Sequence, residues 1–197
     1  MTGSRGSGDR LRFIVVMAAL CPCLLALWAA GSLVWAGEVA PSDLSSLHLT
    51  VSLPGRPPAP APAWETLLHV SLDIGETTIY SRTVTCDAVG AWQMEGLASG
   101  TYDLRVRGAN TLTNTREGFV LDPGANLAYL GLLRAGDLNG DEAVDIVDFS
   151  LFRMRFASAD ALADLDNNGW VDIVDFSLLR SNFGLRGPLH LTGEERP

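Results

Sequence analysis

Two stretches of the chain set oxygen-bearing side chains at the same unequal intervals. In DLNGDEAVDIVD, residues 137–148, Asp137, Asn139, Asp141, Asp145 and Asp148 stand at positions 1, 3, 5, 9 and 12. In DLDNNGWVDIVD, residues 164–175, the same places are held by Asp164, Asp166, Asn168, Asp172 and Asp175. Side chains so spaced can fold around one point. With the backbone carbonyl of position 7, Ala143 or Trp170, they offer the six to eight oxygens that a hard cation collects. Ca2+ is the ion this spacing suits, one per loop and two in all. One acidic loop is often only a solvated turn. Two in tandem, with VDIVDFSLFR at 144–153 recurring as VDIVDFSLLR after 27 positions, argue for a duplicated cation site.

The spacing is that of the EF-hand-type loop, with two departures. Position 12 is Asp in both copies where Glu is usual, so the closing carboxylate has a shorter reach and the following helix must sit nearer the ion. Position 6, where the turn favours positive φ, is Gly169 in the second loop and Glu142 in the first. A non-glycine residue there costs ~1 kcal/mol, so the first site is expected to be the weaker.

Elements must hold these loops in place. After each one, apolar residues fall at helical spacing: Phe149, Phe152 and Phe156 in the first copy, Phe176, Leu179 and Phe183 in the second. Two amphipathic helices sharing one small core are predicted, and Gly184 supplies a helix stop. Upstream the period changes. LHLTVSL, LLHVSLDI, TTIYSRTVT, GAWQMEG, TYDLRVRG, REGFVL and LAYLGLL are short alternating or β-branched runs parted by turn residues. About seven strands so arranged predict an all-β sandwich. PGRPPAPAPAW, residues 54–64, is then an exposed proline-rich connection.

A multidomain chain follows: an export segment at 1–36, a linker at 37–45, the sandwich at 46–134, a small all-α loop–helix pair at 135–185 and a tail at 186–197. GDLNGDEAVDIVDFSLFRMRF and ADLDNNGWVDIVDFSLLRSNFG, with Asp at position 12 and no helix before each loop, resemble the type I dockerin module. GAWQMEGLASGTYDLRVRG, residues 90–108, resembles carboxypeptidase-regulatory-like and Cna-B-like sandwich modules, which space, present or bind. The dockerin resemblance implies a calcium-folded, pseudo-twofold module that plugs into a cohesin domain, in a setting of extracellular polysaccharide degradation. Carried over position by position, the partner-facing residues are Ile146, Val147, Arg153 and Met154, then Ile173, Val174, Arg180 and Ser181. An apolar pair and a single Arg replace the family's Ser-Thr and Lys-Arg pairs. Packing of Ile146 and Ile173 in the core is the alternative.

The remaining composition narrows the function. Residues 13–36 carry no charge and follow Arg5, Arg10 and Arg12, the arrangement of an export signal. Val34 and Ala36 suit cleavage before Gly37. The run is also long enough to span a bilayer, although Pro22, Gly31 and Ser32 weaken a continuous helix. The remainder is expected outside the cell in both cases, secreted or at the cell surface, with membrane contact only if the segment is kept. Neither Cys21 nor Cys23 follows a small residue, which argues against lipid anchoring. After cleavage Cys86 is the one cysteine left, and no internal disulfide can form.

All 14 basic residues are Arg and they are scattered, so no footprint for nucleic acid exists. Acid is concentrated instead, with ten carboxylates against two Arg in 137–175. His48 and His69 have no nearby nucleophile or paired carboxylate, and no P-loop, GxSxG, HExxH or CxxC motif occurs in 37–197. The expectation is a secreted, non-catalytic calcium-binding protein that docks on a cohesin-type partner. A calcium-stabilised structural module of a surface protein without such a partner is the alternative, as is sugar binding by the sandwich through Trp64, Trp92 or Trp170.

Overall fold

A computed structural model describes residues 44–192, all within the compact unit Glu38–Pro197. The expected export segment at 1–36 lies outside the described residues. Seven strands build the sandwich: β1 (Leu44–Ser52), β2 (Leu67–Ile74), β3 (Thr77–Thr85), β4 (Ala91–Ala98), β5 (Gly100–Gly108), β6 (Asn114–Leu121) and β7 (Gly124–Leu132). Each run read from the sequence is a strand, because alternation sends one set of side chains inward. Leu47, Leu49 and Val51 of β1 face Leu68, Val70 and Leu72 of β2 and Tyr102, Leu104 and Val106 of β5 across a single apolar core. Burying such side chains is worth about 1.5–3 kcal/mol each, which makes this core the main source of stability.

The sheets are unequal. One has three strands in the order β4-β1-β7, with β1 parallel to β7. The other runs β3-β2-β5-β6 and closes with a strand that the sequence reading left in a tail: β8 (Leu189–His190) lies parallel to β6. The tail expected at 186–197 is therefore partly a sheet strand. Two residues suffice because Leu189 N donates to Thr113 O at 2.7 Å and Leu191 N to Thr115 O at 2.8 Å.

Between β7 and β8 lie two helices, α1 (Ile146–Arg155) and α2 (Ile173–Asn182). They begin three residues before the first phenylalanine of their apolar pattern, since Asp145 and Asp172 act as N-caps. They also end before Phe156 and Phe183, which leaves those rings about half exposed instead of closing the core. Phe152 and Leu179 are buried, and Phe149 meets Phe176 with ring centroids 6.1 Å apart, so equivalent helix faces do pack on each other. This second core also takes in Leu112, from the β5–β6 connection of the sandwich.

Candidate cation-binding loops

Each loop is locked to the helix that follows it by a reciprocal cap. Asp145 Oδ1 accepts from Val147 N at 2.8 Å, while Asp148 Oδ2 accepts from Asp145 N at 2.8 Å. Asp172 and Asp175 repeat the exchange with Val174 N and Asp172 N. Position 9 therefore starts the helix, and the Asp at position 12 holds both the cap and the far side of the loop. Asp148 Oδ1 takes Leu138 N at 2.8 Å and Asp175 Oδ1 takes Leu165 N at 2.6 Å. An aspartate can reach across because the helix begins so close to the loop.

Valines at position 8 tie the copies together. Val144 N donates to Leu185 O and Val144 O accepts from Gly184 N, beyond α2. Val171 exchanges the matching pair with Ser158 O and Ala157 N, beyond α1. Each loop is thus paired with the segment that follows the other copy's helix, which is the pseudo-twofold relation expected of the repeat.

Positive φ falls at two positions per loop. Position 6 was read from the sequence, and Glu142 does sit at φ 63° while Gly169 sits at 93°. Position 4 was not: Gly140 lies at 81° and Asn167 at 58°. Each loop therefore carries one glycine and one strained non-glycine residue, and the expected handicap of the first loop shrinks to the difference between Glu and the more tolerant Asn. Glu142 is also held in place. Its Oε2 accepts from Thr113 N at 3.0 Å and its Oε1 from Thr113 Oγ1 at 2.6 Å. Gly187 passes so close to this carboxylate that a Cβ there would strike it.

Where the loops differ is in their counter-charge. Asp137 is fully buried, and Arg107 of β5 donates through Nη2 to its Oδ2 at 2.9 Å while Nη1 lies 3.4 Å from Glu142 Oε1. Burial pushes the Asp137 carboxyl above its ordinary range, against backbone donors and Arg107 that pull it down. In the second loop, Asp164, Asp166 and Asp175 are buried and each brings one carboxylate oxygen within 4.8 Å of the others. Among the described residues no other trio of His, Cys, Asp or Glu converges so closely. Burial first, and then the charge of Asp175, raise the Asp166 carboxyl. Three buried carboxylates at such range need a cation or protons. An oxygen-only donor set of this kind fits a hard divalent ion.

The sandwich touches the second loop as well. A Cβ on Gly55 of the proline-rich connection would meet Leu178 Cδ1 at 2.7 Å and Asp166 Cβ at 3.0 Å. Asn167 Nδ2 donates to Ala63 O at 3.0 Å. Arg56 has its pKa lowered by burial, opposed by the charges of Cys86, Asp164 and Asp166. The connection expected to be exposed is, at this end, packed against the loop–helix pair. Sequence reasoning found the loop residues but missed Arg107, Thr113, Gly55 and Arg56, whose partners are remote in the chain.

The four carried-over aliphatics are solvent-facing. Ile146 is 61% exposed, Val147 47%, Ile173 63% and Val174 41%, which overturns the alternative that Ile146 and Ile173 fill the core. Arg153, Met154, Arg180 and Ser181 are exposed too. Beside them Phe149, Phe152, Arg153, Phe156, Ile173 and Phe176 line a groove of about 380 Å³. Of the tryptophans, Trp64 and Trp92 pack against the sandwich core, while Trp170 is half exposed at position 7.

No protein-family model matches the chain, and no curated protein does. Solved structures do. A C-terminal interface mutant of a type II cohesin–X–dockerin complex from Acetivibrio cellulolyticus is similar at a TM-score of 0.58 and 21% identity, over 72% of this chain and 97% of the matched chain. An N-terminal interface mutant of that complex gives 0.56 and 20% identity, over 73% and 97%. A type II cohesin–dockerin domain from Bacteroides cellolosolvens is 35% identical over 26% of this chain and 85% of its own, at a TM-score of 0.25. The chain thus has a β-sandwich fold, with two helices, that is shared with a chain of cohesin–dockerin complexes.

Proposed function

We propose that the chain is a secreted, non-catalytic docking protein whose loop–helix pair binds two Ca2+ ions and carries a twofold apolar surface for a cohesin-type partner. In the first loop the ligands are Asp137, Asn139, Asp141, Asp145, Asp148 and the Ala143 carbonyl. In the second they are Asp164, Asp166, Asn168, Asp172, Asp175 and the Trp170 carbonyl. Bound calcium neutralises the converging carboxylates and so favours the packed state of α1 and α2. The chain's own residues do the rest: Asp145 and Asp172 start the helices, and Asp148 and Asp175 close the loops.

The observation that carries the docking reading is the equal exposure of Ile146-Val147 and Ile173-Val174 on the first turns of two helices related by the repeat. Aliphatic pairs left open at matched places cost solubility and are a usable contact surface. The similarity to a chain from cohesin–X–dockerin complexes supports a protein partner of that kind. The sandwich, joined to both loops, serves as a rigid companion rather than a separate binding domain.

Calorimetric titration with cohesin domains, in calcium and in EDTA, tests this. Binding is expected in calcium only. Replacing one aliphatic pair by Asp-Asp should halve the apparent affinity, about 0.4 kcal/mol, if two orientations are equally used, and replacing both should abolish it. A double variant that folds, keeps its calcium heats and binds as the parent does rules out this surface.

A further inference from the structure

We propose that Arg107 is a built-in counter-cation of the first loop, so that this loop keeps its form when calcium is absent while the second does not. The inference rests on the calcium reading above and concerns a residue of the sandwich. Asp137 already has four donors. Gly140 N and Asp141 N reach Oδ1 at 2.8 and 3.1 Å, and Glu142 N and Arg107 Nη2 reach Oδ2 at 3.1 and 2.9 Å. A carboxylate has about four acceptor sites, so without calcium those of Asp137 are filled by the protein itself, and an arriving ion must displace one of these donors. Arg107 is in turn fixed by donating from Nε to Thr111 O at 3.2 Å, and its other nitrogen lies beside Glu142.

The equivalent carboxylate of the second loop has a different environment. Asp164 accepts from Asn168 N at 3.0 Å and Gly169 N at 2.7 Å, and no ion pair within 4.0 Å is formed by Asp164, Asp166 or Asp175 among the described residues. The duplicated sequence thus holds two loops with different demands. One carries a guanidinium bonded directly to its carboxylates, whereas the guanidinium nearest the other, Arg56, donates to Ala63 O and feels Asp164 and Asp166 only through space. Arg107 acts through Asp137 and Glu142 and is a positioning residue.

Amide exchange of the chain, in EDTA and in calcium, tests the proposal. In EDTA the parent should exchange at 137–148 about tenfold or more slowly than at 164–175, and Arg107→Gln should remove that difference, as loss of a charge-assisted bond to a buried carboxylate would. Strands β2 and β5 should stay protected, and Arg107→Lys should recover most of the protection because it keeps the charge. Equal lability of the two loops in the parent overturns the proposal, as does an Arg107→Gln protein whose first loop stays protected. If Arg107→Gln unfolds the strands as well, the lysine variant decides, and loss of first-loop protection there is equally fatal. The EDTA arm judges the role of Arg107. A parent that shows no calcium heat and no calcium-dependent protection at 164–175 sinks the calcium reading instead.

Discussion

Glu142 reaches out of the first loop to Thr113, accepting from its backbone nitrogen at 3.0 Å and its hydroxyl at 2.6 Å. A residue that looks like a flaw in the loop pattern is therefore a clasp between loop and sandwich. Glu142→Gly restores the usual residue and relieves ~1 kcal/mol of backbone strain. It also strips Thr113 N of its partner and loosens Arg107, and hydrogen bonds to charged groups are worth about 1.5–3 kcal/mol. A net loss of about 1–2 kcal/mol is expected in urea unfolding, where a gain in stability would show that strain dominates.

Asp166→Asn should change sign with the metal. In EDTA the substitution removes one of three converging carboxylates, and a gain of about 1 kcal/mol is expected from relieved repulsion and desolvation. In saturating calcium the same change deletes a charged ligand, so the melting temperature should fall below that of the parent. Thermal melts of both proteins in the two buffers check this; shifts of the same sign in both would contradict it.

Ala157 follows α1 at φ 59°, where its counterpart after α2 is Gly184 at 89°. Left-handed backbone favours glycine after a helix, so Ala157→Gly should stabilise the chain by about 0.5–1 kcal/mol. Its amide still donates to Val171 O, and nothing else need move. Chemical denaturation measures the effect directly, and a loss of stability would count against the strain assignment.

Cys86 is a buried free thiol that donates to Trp64 O at 3.0 Å, and burial raises its pKa. The unfolded thiol titrates near 8.5. A group whose folded pKa is raised contributes stability in full below its unfolded pKa, and that contribution is lost as pH rises through the folded value. Stability should therefore decline from about pH 8.5 upward, and less so in Cys86→Ala. A thiol reagent should react slowly with the native chain. Equal alkaline slopes in parent and variant would remove Cys86 from the account.

What could be read along the chain was local. Alternation in LHLTVSL or TYDLRVRG sets which side chains face inward, and so the seven sandwich strands were legible without a partner in view. The spacing of the acidic residues likewise located both loops. Contacts between remote residues left no trace: Arg107 is one outward-facing arginine on a strand, and its proximity to Asp137 depends on how β5 meets a loop 30 residues later. Left-handed φ at Asn167 leaves no mark in the sequence, since asparagine is as common in ordinary turns. β8 was missed because Leu189 and His190 are too few to show a period.

The chain leaves the sandwich and returns to it at nearly the same spot. Ala135 bridges Thr111, and Leu189 pairs with Asn114. Three residues span at most about 10 Å, so the whole stretch between is laid out as a cassette whose two ends are clipped side by side. A closed loop of this size loses only a slowly growing entropy on closure. Both clips lie in the second core, where Ala135 and Leu189 pack beside Leu112. Melting of the helices therefore loosens the two ends together, and the last strand of the larger sheet answers to the state of the loops.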